Sequence, residues 1–521
     1  MLAIVPSATL LGLDGRAIRV EVDVAPGLPG FTIVGLPDTA LQEARERIRG
    51  AIRNAGFVHP PRRITVNLAP ADLRKAGSSL DLAMAIGILL GSEQVRPGSE
   101  RIALIGELSL GGEVRSVPGI LPMAAALARR GIRRLIVASE AATEARLVGG
   151  LEIDAVESLG EAAARISGPR RSVHRTSPLR VGLEDPVRDG PRGPSMPVAG
   201  RPTPDLAEVR GQLEARRGLE IALAGEHGLL LIGPPGSGKT LLARTVPSLL
   251  PPLDDASAMA VSIVASAAGE GPLDELRRHP PFRAPHHTVS YAGMVGGGPR
   301  LSPGEVTLAN HGVLFLDELP EFDRDVLESL RQPMEDGHVA LARAGRTITF
   351  PARFQLLAAM NPCPCGFAGA LETPCVCPQA VPDRYQKRIS GPLRDRIDLA
   401  ITMPRVAPAD LVATEAPEGS AVVARRIEVA RSVAAARQGH TNGRMSGQAL
   451  RASIRLTGPT RRHVQALAEL ERASGRGVER LLRVARTIAD LAGSDLVTND
   501  HLDEAAWFRS SESRALTARA V

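Results

Sequence analysis

Gly233-Pro-Pro-Gly-Ser-Gly-Lys-Thr240 follows the apolar run Leu229-Leu-Leu-Ile232 and precedes Leu241-Leu-Ala-Arg-Thr245. An apolar run, a glycine-rich turn and a helical start in that order predict a buried parallel strand, a phosphate-binding loop and a helix. Gly233, Gly236 and Gly238, with Pro234, Pro235 and Ser237 between them, let backbone N–H groups turn inward on phosphate oxygens. Lys239 then reaches the β/γ oxygens, and Thr240 offers a hydroxyl to Mg²⁺. Of the 63 basic residues only three are lysines, so a lysine kept inside this turn points to chemistry. An ordinary glycine-rich turn would not explain strand, loop and helix all falling in sequence. The prediction is an α/β protein that binds ATP with Mg²⁺.

Further along, Val313-Leu-Phe-Leu-Asp-Glu318 is an apolar strand ending in two carboxylates. It is expected beside the phosphate-loop strand, with both acids at its carboxyl end, where ligands bind in α/β sheets. There Asp317 would hold Mg²⁺ through water and Glu318 would polarise the attacking water. A third strand, Phe354-Gln-Leu-Leu-Ala-Ala-Met-Asn361, ends in an amide able to orient the same water. Two acids and an amide at strand ends predict hydrolysis as well as binding.

Composition sets the remaining bounds. A chain of 521 residues accommodates two to four domains. Its 44% apolar content is ordinary, and no run approaches the ~18 apolar residues of a membrane span. Met1-Leu-Ala-Ile-Val-Pro6 lacks a basic region and reads as a strand rather than a signal peptide. A cytoplasmic protein without a membrane partner is expected. A net charge of +6 does not by itself argue for nucleic acid, and 2% aromatics weigh against base stacking.

All four cysteines, Cys363, Cys365, Cys375 and Cys377, fall within fifteen residues. Two C-x-C pairs suit tetrahedral thiolate coordination of Zn²⁺; the other readings are buried thiols or a redox pair. Clustering of every cysteine favours the metal.

Four regions emerge. Residues 1–166 form an N-terminal domain, and residues 167–204, rich in Pro, Gly and Arg, form a linker that is either a solvated tether or a nucleic-acid contact. Residues 205–404 form the ATPase core. Beyond a Pro/Ala-rich break from Pro404 to Ser420, residues 405–521 are helical, with Ala421–Arg437 and Val478–Ala492 carrying apolar residues at helical spacing. Within the core, the stretch from His338 to Thr349 reads as two short strands around Arg343-Ala-Gly345.

The order of these motifs, with Ser390-Gly-Pro-Leu-Arg-Asp-Arg-Ile-Asp-Leu399, resembles AAA+ ATPases of the magnesium-chelatase-like group. Arg283-Ala-Pro-His-His-Thr-Val-Ser-Tyr291, Gly296-Gly-Gly298 and Gly304-Glu-Val-Thr-Leu-Ala309 narrow the resemblance to the ComM/YifB type, over nearly the whole chain. The resemblance implies a P-loop AAA+ parallel-sheet core with a C-terminal helical lid, assembled as a homo-oligomeric ring, a hexamer by expectation. It puts an arginine finger for the neighbouring subunit's ATP at Arg396 and the sensor-2 arginine at Arg476. The hairpin and the insertion holding Gly296–Gly298 would project into the ring channel, where Arg300, Arg343 and Arg346 would track a DNA backbone; solvated loop arginines are the competing reading. His286 and His287 receive no chemical role.

Pro70-Ala-Asp-Leu-Arg-Lys-Ala-Gly-Ser-Ser-Leu-Asp-Leu82 and the stretch from Gly106 to Ile120 resemble the proteolytic domain of Lon proteases, a ribosomal protein S5 domain 2-like α+β fold. The likeness places Ser79 at the nucleophile, but Leu121 stands where the base lysine should follow Pro118-Gly-Ile120. The dyad is broken, so a binding or assembly module without peptidase activity is expected. Lys75 would contact nucleic acid or a partner subunit, or be structural. The function implied is an ATP-driven DNA motor for branch migration in recombination of incoming DNA during natural transformation. The alternatives are a metal-insertion chelatase ATPase and a protease-related unfoldase or regulatory scaffold.

Overall fold

The computed structural model describes residues 1–36, 39–71, 73, 75, 77–98, 100–167, 203–298, 301–343, 346–368, 374–378, 380–412, 414–470 and 473–517. Nearly all of the expected linker, and Arg300, lie outside the described residues, as do the side chains of Arg343 and Arg346. The chain divides into two compact units.

The first unit is built on a sheet in the order Leu2–Leu11, Asp14–Ala25, Arg63–Ala69, Gly30–Val34; its last pair is parallel and the others antiparallel. Along Asp14–Ala25, Ile18, Val20, Val22 and Val24 are buried while Arg19, Glu21 and Asp23 alternate with them on the other face. That period of two lets a strand bury one face only. Against it lies the Asp81–Gly91 helix, apolar on every side and buried at ten of its residues, as expected of a helix inside a core. The same unit holds a parallel three-stranded sheet, Ile102–Ile105, Arg134–Ala138 and Glu152–Val156, and the helices Thr39–Asn54, Ile120–Arg129 and Leu159–Ser167.

The stretch Ala258–Arg277, which the sequence reading put inside the ATPase core, packs with this first unit. Ala265 and Leu273 form a small apolar cluster with Leu121. The Leu121 N–H donates to Glu144 Oε1 and to Ser266 Oγ, both at 3.2 Å.

The second unit centres on a five-stranded sheet, every pair parallel, in the order Phe282–Arg283, Val313–Leu316, Gln355–Met360, Leu229–Ile232, Leu399–Thr402. The acid-bearing strand is therefore not beside the phosphate-loop strand: Gln355–Met360 stands between them. Apolar runs announce strands, but the order in which strands pair is settled by packing and crossovers that periodicity does not encode.

Alternate residues of this sheet face two separate cores. Leu229, Leu231, Val313, Phe315, Leu357, Ala359, Leu399 and Ile401 join one; Leu230, Ile232, Leu314, Leu316, Leu356, Ala358 and Ala400 join the other. Burial on both faces explains why these strands read as unbroken apolar runs. The first face is covered by the Leu213–Gly225 helix and by Val423, Ile427, Leu481, Val484 and Ile488 of the C-terminal helices Ser420–Gln438 and Gly475–Leu491.

Polar side chains fasten the Gly475–Leu491 helix to the turn before Leu399. Arg480 donates to the Ile397 carbonyl at 3.1 Å and lies 3.3 Å from Asp395. Arg483 pairs with Asp398 at 3.5 Å, and His227 bridges Asp398 (3.2 Å) and Thr487 (2.8 Å). Among the described residues no helix is long and apolar enough to cross a membrane.

Candidate nucleotide site

The loop after Leu229–Ile232 takes backbone shapes that side chains resist. Gly236 and Gly238 have φ of +78° and +92°, a region open to glycine at little cost. A Cβ on Gly233 would come within 2.2 Å of the Met403 carbonyl oxygen. The loop then enters the Lys239–Arg244 helix.

Lys239 is 8% exposed. Its Nζ donates to the carbonyls of Gly233 (2.8 Å) and Pro234 (2.9 Å) and to Asn361 Oδ1 (3.2 Å). Burial lowers its pKa, against the charges of Asp317 and Glu318. Thr240 Oγ1 donates to Asp317 Oδ2 at 2.7 Å. Thus four of the sequence-predicted residues, Lys239, Thr240, Asp317 and Asn361, meet at the carboxyl ends of three strands. The Ser237 hydroxyl is buried and finds no partner among the described residues. A buried ammonium, an unmatched hydroxyl and a hard-oxygen pair from Thr240 and Asp317 fit a triphosphate with its Mg²⁺.

Glu318 turns away from the strand with φ +54°, its N–H held by Asp317 Oδ1 at 2.9 Å. Its carboxylate lies 3.5 Å from His287 Nδ1. The rings of His286 and His287 stand 4.0 Å apart, and His287 meets Phe322 edge-on. Sequence reasoning passed over His287; the paired histidines in Arg283–Tyr291 were the available signal, but only the folded chain brings that segment to Glu318.

Arg396 lies elsewhere. It precedes Leu399–Thr402, which runs parallel to Leu229–Ile232 with Leu399 opposite Leu229, and the Asp398 N–H binds the Gly228 carbonyl at 3.0 Å. It is therefore at the amino end of the sheet, whereas Lys239, Asp317 and Asn361 are at the carboxyl end. Four residues of strand span about 13 Å. Arg396 pairs with Glu335 and donates to the Pro392 carbonyl. Arg476, 71% exposed, approaches the same Glu335 oxygen at 4.0 Å. Among the described residues neither arginine bonds to the phosphate loop, Asp317 or Glu318.

The expected hairpin forms from His338–Arg343 and Arg346–Pro351. The four cysteines converge, with every sulfur within 4.8 Å of the others. In the first unit, Lys75 is fully buried, its Nζ donating to the carbonyls of Gly35 and Pro70. Its burial and these bonds favour the structural reading over contact with nucleic acid or a partner. Ser79 Oγ donates to the Ala8 carbonyl at 3.1 Å.

Residues 205–411 match the family described as magnesium chelatase, subunit ChlI; residues 20–141 match subunit ChlI of Mg-chelatase, and residues 417–509 its C-terminal part. The chain is 41% identical to the protein YifB of Escherichia coli K12 over 511 residues, 98% of this chain and 97% of that one. It is 40% identical over 516 residues to the competence protein ComM of Haemophilus influenzae, covering 98% and 97%. A magnesium-chelatase 38 kDa subunit of Rhodobacter capsulatus is 26% identical over 179 residues, 31% of this chain and 51% of that subunit. With the strand–loop–helix geometry above and near-complete coverage by these relatives, the chain belongs to the magnesium-chelatase-like AAA+ family, of the YifB/ComM type.

Proposed function

We propose that this chain hydrolyses ATP as a subunit of a homo-oligomeric ring, a hexamer by family resemblance, that moves along DNA. The observation carrying the ring is the placement of Arg396 at the opposite end of the parallel sheet from Lys239 and Asp317. A guanidinium so placed serves a pocket on another subunit. Arg476 approaches the same Glu335 oxygen, which supports both arginines acting on a neighbour's γ-phosphate.

Within one subunit, Lys239 holds the β/γ oxygens, and Thr240 with Asp317 provides the Mg²⁺ ligands. Glu318 accepts hydrogen bonding from the attacking water, with His287 fixing its carboxylate. Asn361, already bonded to Lys239, aligns that water with the phosphate. Mg²⁺, when bound, neutralises charge on the phosphate oxygens.

The C-terminal helices act as a lid, coupled to the finger turn through Arg480 and Arg483. The N-terminal unit is Lon-like without peptidase activity. Ser79 is committed to the Ala8 carbonyl, and Leu121, the base position by resemblance, sits in an apolar cluster. The DNA reading rests on the name of the ComM relative and on the His338–Pro351 hairpin. It extends to branch migration of incoming DNA during transformation.

The test is ATPase activity with and without single-stranded or forked DNA. Stimulation that weakens with salt supports the DNA motor. Neither stimulation nor binding at low salt would eliminate it, leaving the chelatase-type and scaffold alternatives.

A further inference from the structure

The four cysteines adjoin the nucleotide pocket. Their sulfurs lie 3.3 Å (Cys363–Cys365), 3.7 Å (Cys363–Cys375) and 3.5 Å (Cys365–Cys375) apart, with Cys377 inside the same 4.8 Å limit. A disulfide would require about 2.05 Å. Four sulfurs at about 2.3 Å from a tetrahedral Zn²⁺ lie about 3.8 Å from one another, close to the spacing seen. The Ala368 N–H points at Cys363 Sγ, 3.3 Å away, a donor of the kind that steadies a metal-bound thiolate.

Three contacts tie this cluster to the phosphate loop. The Gly233 N–H binds the carbonyl of Met360, three residues before Cys363, at 3.2 Å. Lys239 Nζ binds Asn361, separated from Cys363 by Pro362 alone. Gly366, the residue after Cys365, is packed so closely under the loop that a Cβ on it would lie 2.4 Å from Pro235 Cδ. Beyond it, Phe367 carries the Arg405 guanidinium 5.4 Å above its ring.

We propose that Cys363, Cys365, Cys375 and Cys377 bind one Zn²⁺ that serves as a structural member of the nucleotide pocket, fixing Asn361 and the phosphate loop in register. Without the metal, Cys363–Phe367 keeps the Gln386 bond to the Pro362 carbonyl and the Arg405 contact with Phe367 but loses its tie to Cys375 and Cys377, and the segment bearing Asn361 loses its far anchor. The coupling to hydrolysis rests on the ATPase reading above; the metal and its hold on the loop do not.

Purified full-length chain should carry one zinc per chain. Exchange for Co²⁺ should give a sulfur-to-cobalt charge-transfer band and strong visible d–d bands, the mark of tetrahedral thiolate ligation. Stripping the metal with a mercurial should speed amide hydrogen exchange across Gly233–Thr240 and around Asn361, while the Asp14–Ala25 strand stays protected. It should also weaken binding of a fluorescent ATP analogue about tenfold. Gly366→Ala should keep the zinc and reproduce the loss of affinity, which separates coupling from metal retention. Cys377→Ser should lose zinc without unfolding the sheet. Absence of zinc together with no cobalt bands overturns the site; unchanged exchange in Gly233–Thr240 after stripping overturns the coupling. Zinc-loaded chain that binds no ATP would instead overturn the ATPase reading and leave the exchange result to decide this one.

Discussion

Lys239 and Arg396 are both arginine-or-lysine positions in a chain rich in arginine, yet their surroundings separate them. Lys239 is buried among carbonyls and Asn361, whereas Arg396 is paired with Glu335. Lys239→Ala should weaken ATP binding by roughly ten- to a hundredfold, the worth of hydrogen bonds to a charged group, as read by equilibrium titration. Arg396→Ala should leave that affinity nearly intact and cut phosphate release on the order of 10³-fold. Full activity in Arg396→Ala would remove the finger. Glu318→Gln should retain ATP and lose hydrolysis by roughly 10²-fold or more, and His287→Ala should lower kcat by less. Most of these positions were legible because a phosphate loop and an acid-ended strand each carry a local pattern. His287 was not, because its contact with Glu318 joins segments far apart in sequence.

At the scale of elements, the Gly475–Leu491 helix is bound to the turn carrying Arg396 through a buried polar network. Burial pushes the Asp398 carboxyl up, but the hydrogen bond and charge of His227, with Arg483 and Arg480, hold its pKa below the usual value. A depressed carboxyl stabilises the fold above its unfolded pKa of about 3.9, and that contribution is lost as pH falls through the folded value. Asp398→Asn should therefore destabilise the second unit by about 3 kcal/mol near neutrality. Its melting temperature should also fall less steeply with acid than the parent's; identical acid profiles would refute the linkage. The strands themselves were readable from sequence, since runs buried on both faces are apolar throughout. Their order was not: inserting Gln355–Met360 between the acid strand and the phosphate-loop strand is a decision of tertiary packing.

For the molecule as a whole, the proposed ring, with each site completed by a neighbour, would make activity a property of the assembly. Specific ATPase activity should rise with protein concentration in parallel with the oligomer seen by light scattering; constant activity in a monomer would defeat the ring. Placing a lysine where the Lon-like reading expects the base, Leu121→Lys, should produce no peptidase. A lysine there would enter the apolar cluster with Ala265 and Leu273, so the thermal midpoint should drop instead.

The membership of Ala258–Arg277 in the first unit reaches further. A chain that leaves one unit, lends a segment to the other and returns cannot be divided by a single cut. Truncation at the 168–202 stretch would strip Leu121 of Ala265 and Leu273, leaving an apolar surface on one fragment and an orphaned helix on the other. In genetic terms, neither unit can be swapped for a foreign one by a single crossover, and the two are inherited as an indivisible pair.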